Sequence, residues 1–217
     1  MSTARKEILA RIAAATGPAA TPAEVDAAYA ALPRGYRRAH HDPARTDIVA
    51  LFAERAADYR AIVERVQPAD LGGAVARVLA GVSRFVVPAG LQPAWLAELP
   101  AGAAERIVRD EPVLSARDLD KIFGVVTGCA AAIAETGTII LDHGAGQGRR
   151  ALTLVPDFHL VVVLADQVAA DIAGALARLD PARPHTFISG PSATSDIELI
   201  RVEGVHGPRN LHVLVAG

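Results

Sequence analysis

The stretch 159–164, in which Val161, Val162 and Val163 follow one another, constrains this chain more than any other feature. A strand with one wet face alternates apolar and polar side chains. An unbroken apolar strand needs cover on both faces, which a parallel sheet flanked by helices supplies. The apolar run ends at Ala165, far short of the roughly 20 residues of a membrane-crossing helix. Further β-branched runs fall at 84–87, 122–126, 138–141, 186–189 and 211–215. Helical segments at 93–99 and 168–179 lie between them. In the second, Val168, Ile172, Leu176 and Leu179 share a face. Strands alternating with helices predict the α/β class, with a parallel or mixed sheet flanked by helices.

The N-terminal third reads differently. Residues 2–15 form a helical pattern with Ile8, Leu9 and Ile12 on one face, and Gly17-Pro18 stops it. A short helix is expected at 23–32. The segment 33–41, which carries Arg34, Arg37, Arg38, His40 and His41, reads as a loop. Asp42 as cap and Pro43 at the first position then open a predicted long helix over 43–66. Ile48, Leu51, Phe52, Tyr59, Ile62, Val63 and Val66 fall on one face of it, as a packing or docking surface would. Pro68 ends it, and a further helix is expected at 71–80. The division this implies is a helical N-terminal extension, 1–82, and an α/β domain, 83–217, joined in one compact unit.

Composition narrows the function. Net charge is −2, with acids and bases mixed and aromatics few, which disfavours a nucleic-acid surface. The N-terminus lacks the apolar core of a signal peptide, so a soluble, cytoplasmic protein is expected. Cys129 is the single cysteine. No disulfide forms within the chain, and no cysteine set is present for an iron–sulfur cluster or structural zinc. The seven histidines make no metal-binding pattern. Cys129 itself reads as a small buried thiol rather than a nucleophile.

Three polar, glycine-punctuated segments stand out. In 127–142, Glu135, Thr136, Gly137 and Thr138 sit just before a strand, where a carboxylate, hydroxyls and amides can grip an anionic ligand. A turn with a hydroxyl-capped strand start is the plainer reading. In 188–198, Gly190, Pro191 and Ser192 turn the chain after a strand, and Thr194, Asp196 and Glu198 follow. Ligands in α/β sheets bind at strand ends, although an ordinary Gly-Pro turn explains the same residues. In 203–211, His206 and Arg209 suit carboxylate binding or proton transfer, or they satisfy local carbonyls. Gly144, Gly146 and Gly148 mimic a dinucleotide fingerprint, but the spacing is GxGxG and Pro156 interrupts the crossover segment. A loop over a pocket is the reading there. Arg149 and Arg150 beside it are either anion-facing or a solvated charge pair.

Taken in order, TGCAAAIAETGTIILD, GQGRR, LVPDFHLVVV, ISGPSATSDIE and EGVHGPRNLHVLV resemble the lactate utilization protein C family, over roughly 119–215. The resemblance implies a LUD domain, similar to the sugar-phosphate isomerase and CoA-transferase superfamily. It implies Glu135 as the functional carboxylate, with Thr136, Gly137 and Thr138 beside it. Gly190, Pro191, Ser192, Thr194, Asp196 and Glu198 would form the facing loop, completed by His206 and Arg209. It also implies a role in oxidising L-lactate to pyruvate together with iron–sulfur partner proteins. This cysteine-poor chain would be the cluster-free subunit, binding a small anionic ligand. No flavin or nicotinamide motif is present, so lactate oxidation by this chain alone is not expected. Two other readings stand beside this one. The first is an independent isomerase-like or CoA-transferase-like enzyme using Glu135. The second is a non-catalytic scaffold or regulator docking through the 43–66 helix.

Overall fold

We describe residues 3–17, 20–35, 46–194, 202–204 and 206–217 of a computed structural model. The strands are β1 (Ile62–Val66), β2 (Phe85–Val86), β3 (Ile107–Val108), β4 (Gly124–Thr127), β5 (Ala131–Ile133), β6 (Thr138–Leu141), β7 (Phe158–Leu164), β8 (Val168–Ala169), β9 (Thr186–Ile188), β10 (Ala193–Thr194), β11 (Val202–Glu203) and β12 (Asn210–Ala216). The helices are α1 (Thr3–Thr16), α2 (Pro22–Ala30), α3 (Ile48–Asp58), α4 (Leu71–Leu79), α5 (Ala116–Leu119) and α6 (Ile172–Leu176).

The valine run is the inside of β7. This strand lies between β12 and β4 in a six-stranded sheet of order β1-β12-β7-β4-β2-β3, in which each pairing is parallel. Its two faces serve two cores. Val161 and Val163 join Val213, Val215, Phe52 and Ala56 on the side of α3. Leu160 and Val162 join Leu214, Val75, Leu79, Phe85 and Trp95 on the side of α4. The unbroken apolar stretch is therefore what a strand covered on both faces requires.

A second sheet, of order β8-β5-β6-β9, lies over the α3 side. Its β5–β6 hairpin is antiparallel, with Ala131 opposite Ile140 and Ile133 opposite Thr138. Small side chains at Ala131, Ala132 and Ala134, all fully buried, let this hairpin sit close to its neighbours. A two-stranded ribbon, β10–β11, completes the strand set.

The chain separates into two compact units, Met1–Arg37 and Arg38–Gly217. The first carries α1 and α2. No α1 or α2 residue is buried, and α2 opens with a capping box between Thr21 and Glu24. No described helix is long and apolar enough to cross a membrane.

Several elements differ from the sequence expectation. The long helix over 43–66 is instead α3 followed by β1. Asp47 caps α3 through the Ala50 amide, and the helix stops at Asp58. Arg60 adopts φ +70, and Ile62–Val66 then pairs residue by residue with His212–Ala216. The β-branched Ile62, Val63 and Val66 gain more from that ladder than from continuing a helix. Its expected start at Asp42 and Pro43, and the part of the 33–41 loop from 36 onward, lie outside the described residues. The expected boundary at 82 also moves. β1, α3 and α4 all precede it, yet they are integral to the sheet and its cover. The 168–179 segment opens as strand β8, and α6 starts later, capped by Asp171 through the Gly174 amide. The 93–99 segment is a single 3-10 turn, Pro93–Leu96, set by Pro93.

Candidate functional site

The β5–β6 turn carries Glu135, Thr136 and Gly137 and leads into Thr138. Gly137 has φ +61, and a Cβ there would meet the Ala56 nitrogen at 2.4 Å. Gly190 has φ +79, and its Cβ would meet the Tyr59 carbonyl oxygen at 2.5 Å. Both turns thus lean on the end of α3, and in each only glycine fits. The Thr136 and Thr138 hydroxyls are 2.7 Å apart, and Thr138 lies 2.8 Å from the Ser189 hydroxyl. This short hydroxyl chain joins two segments that the family resemblance implied would face each other. Glu135 is half-buried, and its amide donates to the Ala170 carbonyl at 3.1 Å.

Beyond Ser189 the loop enters the wall of a cavity of about 130 Å³ at the amino ends of β7 and β12. Gly190, Pro191, Ser192 and His206 line it together with Arg150, Thr153 and His159. The two loops are stitched to each other. The Ser192 amide donates to the Pro208 carbonyl at 2.8 Å, and the His206 amide donates to the Ser192 hydroxyl at 3.0 Å. Arg150 opens a 3-10 turn, Arg150–Thr153, and reaches the Thr153 hydroxyl at 3.5 Å. Among the described residues Arg150 forms no ion pair. His159 is buried and lies 2.7 Å from the Thr127 hydroxyl. Burial, with the nearby Arg150 charge, pushes its pKa down to about 3. The cavity therefore offers one cation and several hydroxyls above a neutral imidazole.

Not every expected residue arrives here. Glu135, Thr136, Gly137 and Thr138 do not line this cavity. Arg209 points elsewhere, holding Asp157 through two bonds of 2.6 and 3.0 Å. Thr194 lies in β10, one residue past the cavity-lining loop and Ala193. Asp196 and Glu198 fall outside the described residues.

A larger cavity of about 710 Å³ opens at the carboxyl ends of β2 and β3. The GxGxG loop forms part of its wall, as the sequence suggested. Its glycines serve packing: Gly146 donates its amide to Ala89, and Gly148 to the Gly144 carbonyl. His143, at φ +58, contacts the Gly148 carbonyl through Nδ1 and the Thr186 hydroxyl through Nε2. Arg149 grips Asp110 at 2.7 and 3.0 Å and the Leu114 carbonyl at 2.7 Å, which holds the Asp110 carboxyl below the usual range. His143, Arg149, Arg150 and Thr186 also bound a shallow depression between the two cavities.

Sequence reasoning did not single out Arg109, Asp110 or His159. The first two follow a two-residue strand with no motif around it. His159 carried a signal that went unused, since a polar side chain within a both-faces-buried strand must meet a buried partner.

Comparison with known proteins bears on these positions. A LUD domain model matches residues 106–216, which includes β3 to β12 and both cavities' loops from Arg106 onward. A protein named lactate utilization protein C from Deinococcus radiodurans is 50% identical over 177 residues, 80% of this chain and 81% of that protein. One of the same name from Bacillus pumilus is 37% identical over 92 residues, 38% of each chain. The crystal structure of a DUF162 family protein from Deinococcus radiodurans superposes with a TM-score of 0.65 at 43% identity, covering 79% of this chain and 97% of that one. Sequence and fold agree over the domain that holds the site, and this chain belongs to the LUD domain family, among the proteins named lactate utilization protein C.

Proposed function

We propose that this protein is a component of bacterial L-lactate utilization that binds a small carboxylate in the 130 Å³ cavity. The observation that carries this is Arg150, a cation with no ion-pair partner among the described residues, beside a cavity lined by hydroxyls. A guanidinium presents a planar fork of donors that matches a carboxylate. The Ser192 hydroxyl, which accepts from the His206 amide, supplies a further donor to a 2-hydroxy or 2-oxo acid, while Thr153 donates to the Arg150 carbonyl and braces that turn. Neutral His159 leaves the cavity floor without a second charge. The names of the relatives from Deinococcus radiodurans and Bacillus pumilus support lactate utilization as the setting.

Electron removal from lactate needs an acceptor. An iron–sulfur cluster takes several cysteine thiolates, and this chain has Cys129 alone. The reading therefore assigns the redox centres to iron–sulfur partner proteins and ligand binding to this subunit, in the cytoplasm. Glu135 enters the reading as the carboxylate of the turn whose hydroxyl chain reaches Ser189. The test is affinity purification of the tagged chain from its host grown on L-lactate. Co-purified iron and lactate-dependent dye reduction are expected. An iron-free chain recovered alone, under conditions that preserve weak complexes, would overturn the subunit assignment. Glu135→Gln should then impair growth on lactate, and normal growth of that strain would remove Glu135 from the site.

A further inference from the structure

The larger cavity has no part in the small-carboxylate reading. At about 710 Å³ it is more than five times the small one, within the usual range for small-molecule and cofactor sites. It lies where ligands of parallel α/β sheets bind, outside the carboxyl ends of adjacent strands β2 and β3. Pro88, Ala89 and Gly90 follow β2, and Arg109, Asp110 and Glu111 follow β3.

Its polar lining is of two kinds. Arg109 is exposed, forms no ion pair among the described residues, and reaches the Val87 carbonyl at a marginal 3.5 Å. Arg149 is held through Nε and Nη2 by Asp110 and Leu114, and Nη1 takes no part in those bonds. The cavity thus has one exposed, weakly tethered guanidinium and one fixed guanidinium edge. Such a pair suits an anion with several oxygens, each taking a donor. Glu111, on the same lining, provides an acceptor for hydroxyl groups. Anion-binding donors and a hydroxyl acceptor in one cavity describe a ligand with a phosphate at one end and a polyol at the other.

We propose that this cavity is a second ligand site, for a phosphorylated molecule of nucleotide size, with Arg109 and Arg149 as its phosphate contacts. It stands independently of the small-carboxylate reading, because Arg109 and Ala145 line the large cavity and not the small one.

The test is calorimetric titration of the full chain with ADP and, separately, with inorganic pyrophosphate. Two variants accompany the wild type. Arg109→Glu reverses the exposed cation, and Ala145→Glu adds a carboxylate at an exposed lining position. Both sites are exposed, so the thermal midpoint should be unchanged, and Arg84→Gln, at an exposed arginine that lines neither cavity, serves as a control. Saturable ADP binding that weakens at least about tenfold in both variants and persists in the control is expected. Pyrophosphate binding alongside ADP would show that the phosphates suffice, and ADP alone would show that the nucleoside is also read. Silence of both probes at millimolar concentration, or affinity unchanged in the two variants, would overturn the proposal.

Discussion

The His159 imidazole lies 2.7 Å from the Thr127 hydroxyl, across neighbouring parallel strands of the main sheet, and both residues are buried. Burial drives the His159 pKa from 6.5 down to about 3, with the Arg150 charge adding to the effect. The unfolded chain therefore takes up this proton before the folded one. Stability from this group is whole above about pH 6.5 and drains as pH falls toward 3, at up to about 1.4 kcal/mol per pH unit. Urea melts between pH 7.5 and 5 should show that slope, and His159→Gln should flatten it. An unaltered slope in the variant would contradict the buried neutral imidazole.

The turn at Gly137 should tolerate no side chain. Its φ is +61, and an added Cβ would run into the Ala56 nitrogen, so there is no room for a side chain. Gly137→Ala should cost about 2 kcal/mol or more. Gly81→Ala, at a position with nothing within 4 Å, should change stability by about 0.5 kcal/mol or less. Thermal or chemical melts of the two variants check this contrast.

Phe52 tests where the α3 face packs. It is fully buried in the core with Val161 and Val213. Phe52→Ala should destabilise the isolated chain by about 3–5 kcal/mol. A partner-docking face would instead leave the chain's own stability unchanged and weaken only assembly.

That contrast also shows what the sequence could reveal. The spacing of Ile48, Leu51 and Phe52 correctly marked an amphipathic helix. It did not show where the helix ends, because Ile62, Val63 and Val66 continue the same apolar face while belonging to a strand. Only the ladder with β12, far along the chain, decides the matter. β7 and β12 were legible because they are long and apolar. β2, β3 and β8, at two residues each, leave almost no periodic trace. The same holds for the site. Gly190, Ser192 and His206 were visible as loop punctuation, and the structure gathers them around one cavity. Arg109 and His159 reach their cavities through sheet register, which no local pattern encodes.

The Asp110–Arg149 pair should matter modestly for stability and more for the loops it joins. Asp110 is largely covered while Arg149 is partly exposed, so solvent screening limits the pair to about 1 kcal/mol. A double-mutant cycle with Asp110→Asn and Arg149→Gln should return a coupling of that size. The lowered Asp110 pKa adds stability above the ordinary carboxylate range that is lost as pH falls through its folded value. A coupling near zero would mean that the pair does not hold the two loops together.

Titration calorimetry of the purified chain with L-lactate and with pyruvate asks whether Arg150 holds a small carboxylate. Saturable binding of at least one acid is expected, weakened about tenfold or more in Arg150→Gln with an unchanged melting midpoint. Absence of binding by both acids at tens of millimolar, roughly the weakest affinity a usable site would show, or equal affinity in the variant, would contradict carboxylate binding at Arg150.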